Sequence, residues 1–245
     1  MSIWHIAQRE LHALFAQPIA YIVAIVILFF CGLIFADGLA QYQQTLLLGQ
    51  PVPPPTMSNV LGFFVFISLF VSPAITMRLL AEEHKSGTIE LLLTLPVREG
   101  EVVLGKFLAA VLYYLLILAC TLFYALVLWR FGNPDMGPML TSYLGVVLAV
   151  CGMVALGVLA SALTQSQIVA YMLGLALILV FYLSGSIAQS FTANSTATVI
   201  FTELSLLDHL SRLPYGILTA KDLAYFACLT AAPLLLAKEQ LTRNK

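Results

Sequence analysis

Long uncharged apolar runs, separated by short polar stretches, set the pattern of this chain. A helix needs about 20 apolar residues to cross the hydrocarbon core of a bilayer. Six runs reach or approach that length: Ile19–Ala36, Val60–Met77, Phe107–Trp129, Met139–Leu163, Ile168–Ala188 and Leu223–Ala237. The third, extended by Val102–Leu104, is long enough to project from the bilayer, and the sixth is short but bracketed by Asp222 and Lys238. Pro73 and Pro233 fall inside the second and sixth runs, where neighbouring helices can tolerate them. Ser2–Ala16 has a different period. Ile3, Trp4, Ala7, Leu11, Leu14 and Phe15 fall on one helical face, and His5, Gln8, Arg9 and His12 on the other. That pattern suits a helix lying on a membrane surface. The reading is an all-α membrane protein forming one domain over 1–245. It has an amphipathic helix over 1–17, six spans, a polar region over 78–101 and a semi-polar connection over 189–221.

The polar region lies within Met77–Lys106, which holds ten ionisable side chains: Arg78, Glu82, Glu83, His84, Lys85, Glu90, Arg98, Glu99, Glu101 and Lys106. Arg78–Ser86 is expected to continue the second span out of the bilayer. Gly87 then suits the left-handed residue after a helix end. Thr88 suits the cap of a new short helix, with Glu90 in its first turn against the positive helix end. Ile89, Leu91, Leu92, Leu93 and Leu95 make that helix apolar, and Pro96 stops it. Two readings follow from the residues: a stiff helix that passes a partner's movement into the spans, or a solvated loop with an interfacial helix. In the connection over 189–221, Thr198–Arg212 carries helical periodicity that fits helices dipping back into the membrane. Thr219 and Asp222 have the spacing of a capping box at the start of the last span. A structural role for Asp222 competes there with a substrate role.

Composition fits the pattern: 245 residues, 61% hydrophobic, 9% charged, mean hydropathy +0.98. A net charge of −1 gives no global basic field for nucleic acid. The four cysteines, Cys31, Cys120, Cys151 and Cys228, lie in apolar runs without metal-type spacing and read as small buried hydrophobes. The first apolar run is followed by Asp37 rather than a small-residue cleavage site, so no cleavable signal is expected. With the N-terminus inside, Arg9, Arg78, Lys85, Arg98, Lys106, Lys238, Arg243 and Lys245 are cytoplasmic, against Arg130, Arg212 and Lys221 outside. The positive-inside rule therefore predicts both termini in the cytoplasm. No G-x-x-x-x-G-K-[ST] phosphate loop occurs, so any ATP is hydrolysed by another chain. The runs contain no acidic, basic or histidine side chain in their interiors, which argues against proton coupling. An intramembrane serine protease lacks its histidine. Gly145, Gly152, Gly157 and Gly174 permit close helix approach, and internal packing is favoured over a subunit seam.

AEEHKSGTIELLLTLPV, followed by LGKF, strongly resembles the segment after the second span of ABC-2 type permeases. Within them it looks most like the gliding-associated branch, with nitrous-oxide-reductase-maturation permeases as relatives. The matching residues are Glu82, Glu83, Gly87, Thr88, Glu90, Leu91, Leu92, Pro96, Gly105 and Lys106. Near the end of the chain His209, Leu213, Gly216, Ile217, Leu218, Asp222 and Tyr225 match a second motif, with Pro214-Tyr215 departing from it. The resemblance implies an elbow helix, re-entrant helices, and a coupling region that docks on an ABC ATPase dimer. Glu82, Glu83, Gly87, Thr88, Glu90, Leu91 and Leu92 would make that contact. It implies no cofactor bound directly, ATP and magnesium belonging to the ATPase. The partners would be that ATPase, the lipid bilayer, and a second permease, identical or a gliding-type auxiliary membrane protein. The implied function is ATP-driven export or other transmembrane movement in a bacterial cytoplasmic membrane. The alternative is a module that passes ATP-driven motion to periplasmic partners without moving a solute.

Overall fold

The computed structural model describes residues 3–48, 56–86, 99–132, 134–189 and 196–243. Regular structure among them is helical throughout: α1 (Ile3–Phe15), α2 (Pro18–Leu47), α3 (Ser58–Thr76), α4 (Ala81–Ser86), α5 (Glu99–Gly132), α6 (Met136–Ala162), α7 (Gln167–Ala188), α8 (Thr196–Leu204), α9 (Leu206–Leu210), a 3-10 turn (Leu213–Tyr215) and α10 (Ala220–Arg243). Among the described residues, six helical stretches are long and apolar enough to cross a membrane: α2, α3 continued through α4, α5, α6, α7 and α10. The chain is a multi-pass helical membrane protein.

The helices outrun the apolar runs that predict them. Pro18 opens α2, where its missing N–H costs nothing, and the helix passes Ala36 to reach Leu47. The polar extension supports itself along one face. Gln41 Nε2 donates to Asp37 Oδ2 at 2.7 Å, and Thr45 Oγ1 donates to the Gln41 carbonyl at 2.7 Å. At the other end of the chain α10 runs from Ala220 to Arg243, so the shortest apolar run lies inside a helix of ordinary spanning length.

The bundle is built around α6. Within the chain 72% of its spanning stretch is buried, against 17% for α2. So α6 is the axis, and α2 is a peripheral helix with most of its surface turned outward. α10, α3 and α7 pack on α6, and glycines set how closely. Gly145 lies under Leu213, Gly152 under Leu229 and Gly157 under Thr76. A Cβ at Gly152 would stand 2.6 Å from Leu229 Cδ2. The three glycines thus each admit a side chain from a different part of the same chain.

α5 fastens the peripheral helices through tyrosine hydroxyls. Tyr113 donates to the Ala20 carbonyl at 2.6 Å and Tyr124 to the Leu28 carbonyl at 3.0 Å, both on α2. On α3, Ser68, Ser72 and Thr76 repeat every four residues and are buried. Ser68 and Thr76 return their hydroxyls to their own helix at Phe64 and Ser72, which satisfies them without a partner helix. Ser72 meets the Tyr114 hydroxyl at 3.2 Å.

Candidate functional site

The polar side chains gather at the two ends of the bundle. The first group lies where α1, α3, α4 and the start of α5 meet. Lys106, about two helical turns into α5, is only 1% exposed. Its ammonium stands 2.7 Å from Glu83 Oε1 on α4 and 3.4 Å from Glu10 Oε1 on α1. Arg9 approaches the same Glu10 oxygen at 2.9 Å. One buried lysine therefore joins three helices. A lysine stem supplies apolar surface while its ammonium reaches the polar groups of neighbouring helices, so this residue can sit near the end of a span. Beside it Gly105 makes the crossing with α1 possible: a Cβ there would lie 2.7 Å from Ile6 Cγ2. Arg78 adds a second tie, donating to Gln17 Oε1 at 2.8 Å in the turn between α1 and α2.

α1 presents to α5 a face slightly rotated from the one its periodicity suggests. Ile6 and Ala7 are buried, while Trp4 is 54% exposed. Trp4 is thereby left for the membrane surface, where an amphipathic ring is at home.

The expected continuation of α3 towards Ser86 is present, but with a break in it. α3 ends at Thr76, and α4 restarts at Ala81. The break has an identifiable cause in Ser161 near the end of α6. The Ser161 hydroxyl accepts from the backbone N–H groups of Leu80 at 3.1 Å and Ala81 at 3.0 Å, and donates to the Met77 carbonyl at 3.1 Å. In an unbroken helix Ala81 N–H would donate to the Met77 carbonyl. A side chain has been inserted into that ladder, a recognised cause of helix kinks. Ser161 is fully buried, so these backbone groups have no water to turn to.

Among the residues expected to contact an ATPase, Glu82 and Glu83 both lie in the first turn of α4. Glu82 is exposed, and Glu83 is committed in part to Lys106. Gly87, Thr88, Glu90, Leu91 and Leu92 lie outside the described residues. The described residues on either side of that segment are tied to other helices. It is preceded by α4, held to α5 through Glu83. It is followed by Glu99 at the start of α5, whose Oε2 accepts from Thr242 Oγ1 near the end of α10 at 3.2 Å. Glu99 and Glu101 occupy the first turn of α5, where the helix end favours negative charge. Sequence reasoning missed Glu10 and Ser161. Glu10 is the one acidic residue of α1, and that was an available signal. Ser161 carried none, being one small polar residue in an apolar run.

The second group closes the other end. Asp222 is fully buried, and both of its carboxylate oxygens are engaged. Oδ1 meets His209 Nδ1 at 2.6 Å. Oδ2 accepts from Thr219 Oγ1 at 2.6 Å and from Thr219 N at 3.2 Å. Thr219 Oγ1 in turn accepts from Asp222 N at 3.3 Å, so the two residues cap α10 reciprocally. The His209 ring stacks on Tyr225 with centroids 4.1 Å apart, and its Nε2 faces the Glu203 carbonyl at 3.3 Å. Tyr225 donates to the Leu204 carbonyl at 2.8 Å. Gly216, at φ +78°, ends the 3-10 turn that Pro214 helps to start, a conformation that favours glycine. Asp222 is fully buried with both oxygens bonded to neighbouring side chains, which favours the structural role over a substrate role. Among the described residues no group of three or more His, Cys, Asp or Glu is placed to hold a metal ion.

This architecture, a bundle of six apolar helices with a glycine-notched axis and polar ties at both ends, defines a multi-pass helical membrane protein. A family model described as ABC-2 family transporter protein matches residues 6–231, and the chain belongs to that family. No curated protein matches it.

Proposed function

We propose that this chain is the transmembrane permease subunit of an ATP-driven ABC-2 transporter of a bacterial cytoplasmic membrane. Both termini face the cytoplasm, and a separate ABC ATPase dimer docks on Glu82 and Glu83 of α4 and on the segment that follows it, through Gly87, Thr88, Glu90, Leu91 and Leu92. The observation that carries this reading is the frame around that segment. The helices on its two sides, α4 and α5, are joined by Glu83 and Lys106, and the same ammonium reaches α1 through Glu10. A displacement imposed on the segment by closure of the ATPase pair would pull on both flanking helices at once. The break at Ser161 gives α4 a seat separate from α3, so the pull need not bend a span. The eight-to-three distribution of basic residues supports the orientation. The motifs quoted above support placement in the gliding-associated branch, with a second permease or an auxiliary membrane protein completing the assembly.

The test is co-purification in mild detergent with the ATPase encoded beside it. Glu90→Lys and Leu92→Asp should insert stably and lose the ATPase; undiminished binding by both would overturn the docking assignment. Equal numbers of this chain and the ATPase indicate a homodimeric permease. Half as many copies, with another membrane protein present, indicate the heteromeric assembly.

A further inference from the structure

α7 and α10 both pack on α6 but scarcely touch one another. Between them lies a groove of about 420 Å³, floored by Leu159 and walled by Leu177, Phe181, Cys228, Ala232 and Leu236. It runs beside α10 from Tyr225 to Leu236, about 16 Å at the rise of an α-helix. That is close to half the roughly 30 Å hydrocarbon thickness of a bilayer, the depth of a single leaflet. One end is roofed by Glu203 and Leu204 at the close of α8, held in place by the Tyr225 hydroxyl. At that roof Lys221 Nζ stands 2.6 Å from Glu203 Oε1, both side chains about half exposed. The site is thus a one-leaflet apolar slot with one cation and one anion at its polar end.

We propose that this groove holds one phospholipid with a zwitterionic headgroup, in the leaflet away from the chain termini. One acyl chain occupies the slot, the lipid phosphate faces Lys221 and the lipid ammonium faces Glu203. The charges argue for the headgroup. An anionic lipid would meet a lysine already offset by Glu203, whereas a zwitterion complements both members of the pair. The proposal rests on the membrane-spanning fold and is independent of ATPase coupling.

The experiment places the purified protein in nanodiscs of equal phosphatidylethanolamine and phosphatidylglycerol, strips loose lipid with mild detergent, and reads retained lipid by native mass spectrometry. One phosphatidylethanolamine per chain is expected. Ala232→Phe and Leu177→Trp, which fill the slot from opposite walls, should each cut retention of either lipid at least tenfold. The double variant Glu203→Gln/Lys221→Met should keep a lipid but lose the headgroup preference. No retained lipid, equal retention of phosphatidylglycerol by the unaltered protein, or retention untouched by both groove-filling variants would overturn the proposal. So would a slot-filling variant that splits an oligomer instead, since the groove would then be a seat for a second copy.

Discussion

The two polar ends of this bundle solve the burial of charge in opposite ways. At the Asp222 end both carboxylate oxygens are bonded, and His209, Thr219 and Tyr225 close a circuit of short bonds and a stacked ring. At the Lys106 end a single ammonium is divided between carboxylates on two different helices, at unequal distances of 2.7 and 3.4 Å. A saturated network in a low-dielectric site is rigid, because any displacement strands a buried polar group. A shared ion pair at the rim can lengthen one contact while keeping the other, since its strength falls off only gradually with distance. The contrast separates a closely bonded end from one whose ion pair is shared between helices, and the shared end flanks the segment proposed above to dock on the ATPase.

The largest effect should come from cutting the saturated end. Asp222→Ala leaves a buried imidazole and the Thr219 N–H without their acceptor. It should cost about 3–5 kcal/mol, the usual penalty for removing one partner of a buried pair. Thermal unfolding in detergent measures it, with Asp222→Asn expected to lie between. A loss below about 1 kcal/mol would show the circuit to be no more than a surface tie. Next comes Ser161→Ala, which strands two buried N–H groups and one carbonyl. It should destabilise by about 1–3 kcal/mol unless the chain heals the break. Double electron–electron resonance between labels on α3 and α4 would then report a straighter helix, as expected if Ser161 causes the break; an unchanged break in the variant would show that Ser161 is not its cause.

Gly105→Ala probes the approach of α1 to α5. The added methyl meets Ile6, and overpacking of this kind costs about 1–3 kcal/mol. Ile6→Ala should recover much of the loss in a double-mutant cycle, because the two residues share one contact. The smallest stability effect belongs to the rim. Glu10→Gln removes the charge from the longer of the two lysine contacts and from the Arg9 pair, keeps an acceptor oxygen, and leaves Glu83 on Lys106, so it should cost about 1 kcal/mol, less than leaving a buried charge wholly unpaired. Its signature is functional: ATPase stimulation by the assembled complex should fall while ATPase binding is kept. Unaltered stimulation would confine the Lys106 tie to a structural role.

How much of this was legible in advance follows from the physics of each signal. The spans were, because an apolar run of bilayer length has few other fates. Their ends were not, because a helix continues wherever no residue forbids it: α2 runs on to Leu47 through polar side chains that bond along its own face. The amphipathic helix was legible in kind, but its docked face was not. The periodicity of a surface helix cannot distinguish a side that meets lipid from a side that meets protein, so Trp4 and Ile6 were hard to rank. A spacing of three relates Thr219 to Asp222 on paper, yet nothing in spacing leads to His209, thirteen residues upstream. Ser161 was invisible for the same reason, since its partners at Met77, Leu80 and Ala81 lie some eighty residues earlier.

The buried Lys106 also bears on how the chain is made. As the third span emerges during synthesis, this lysine is an unpaired cation at its inner end, and on the orientation proposed above it belongs to the charges that retain that end in the cytoplasm. Its carboxylate partners have already been translated on α1 and α4, so they are waiting when it arrives. The residue then serves in succession as a topogenic signal for one helix and as a checkpoint for the assembly of three. A chain with Lys106→Glu should fail at both stages: pulse-labelled glycosylation-site mapping should report mixed orientations of the third span, and the population that does insert correctly should be cleared faster by membrane proteases.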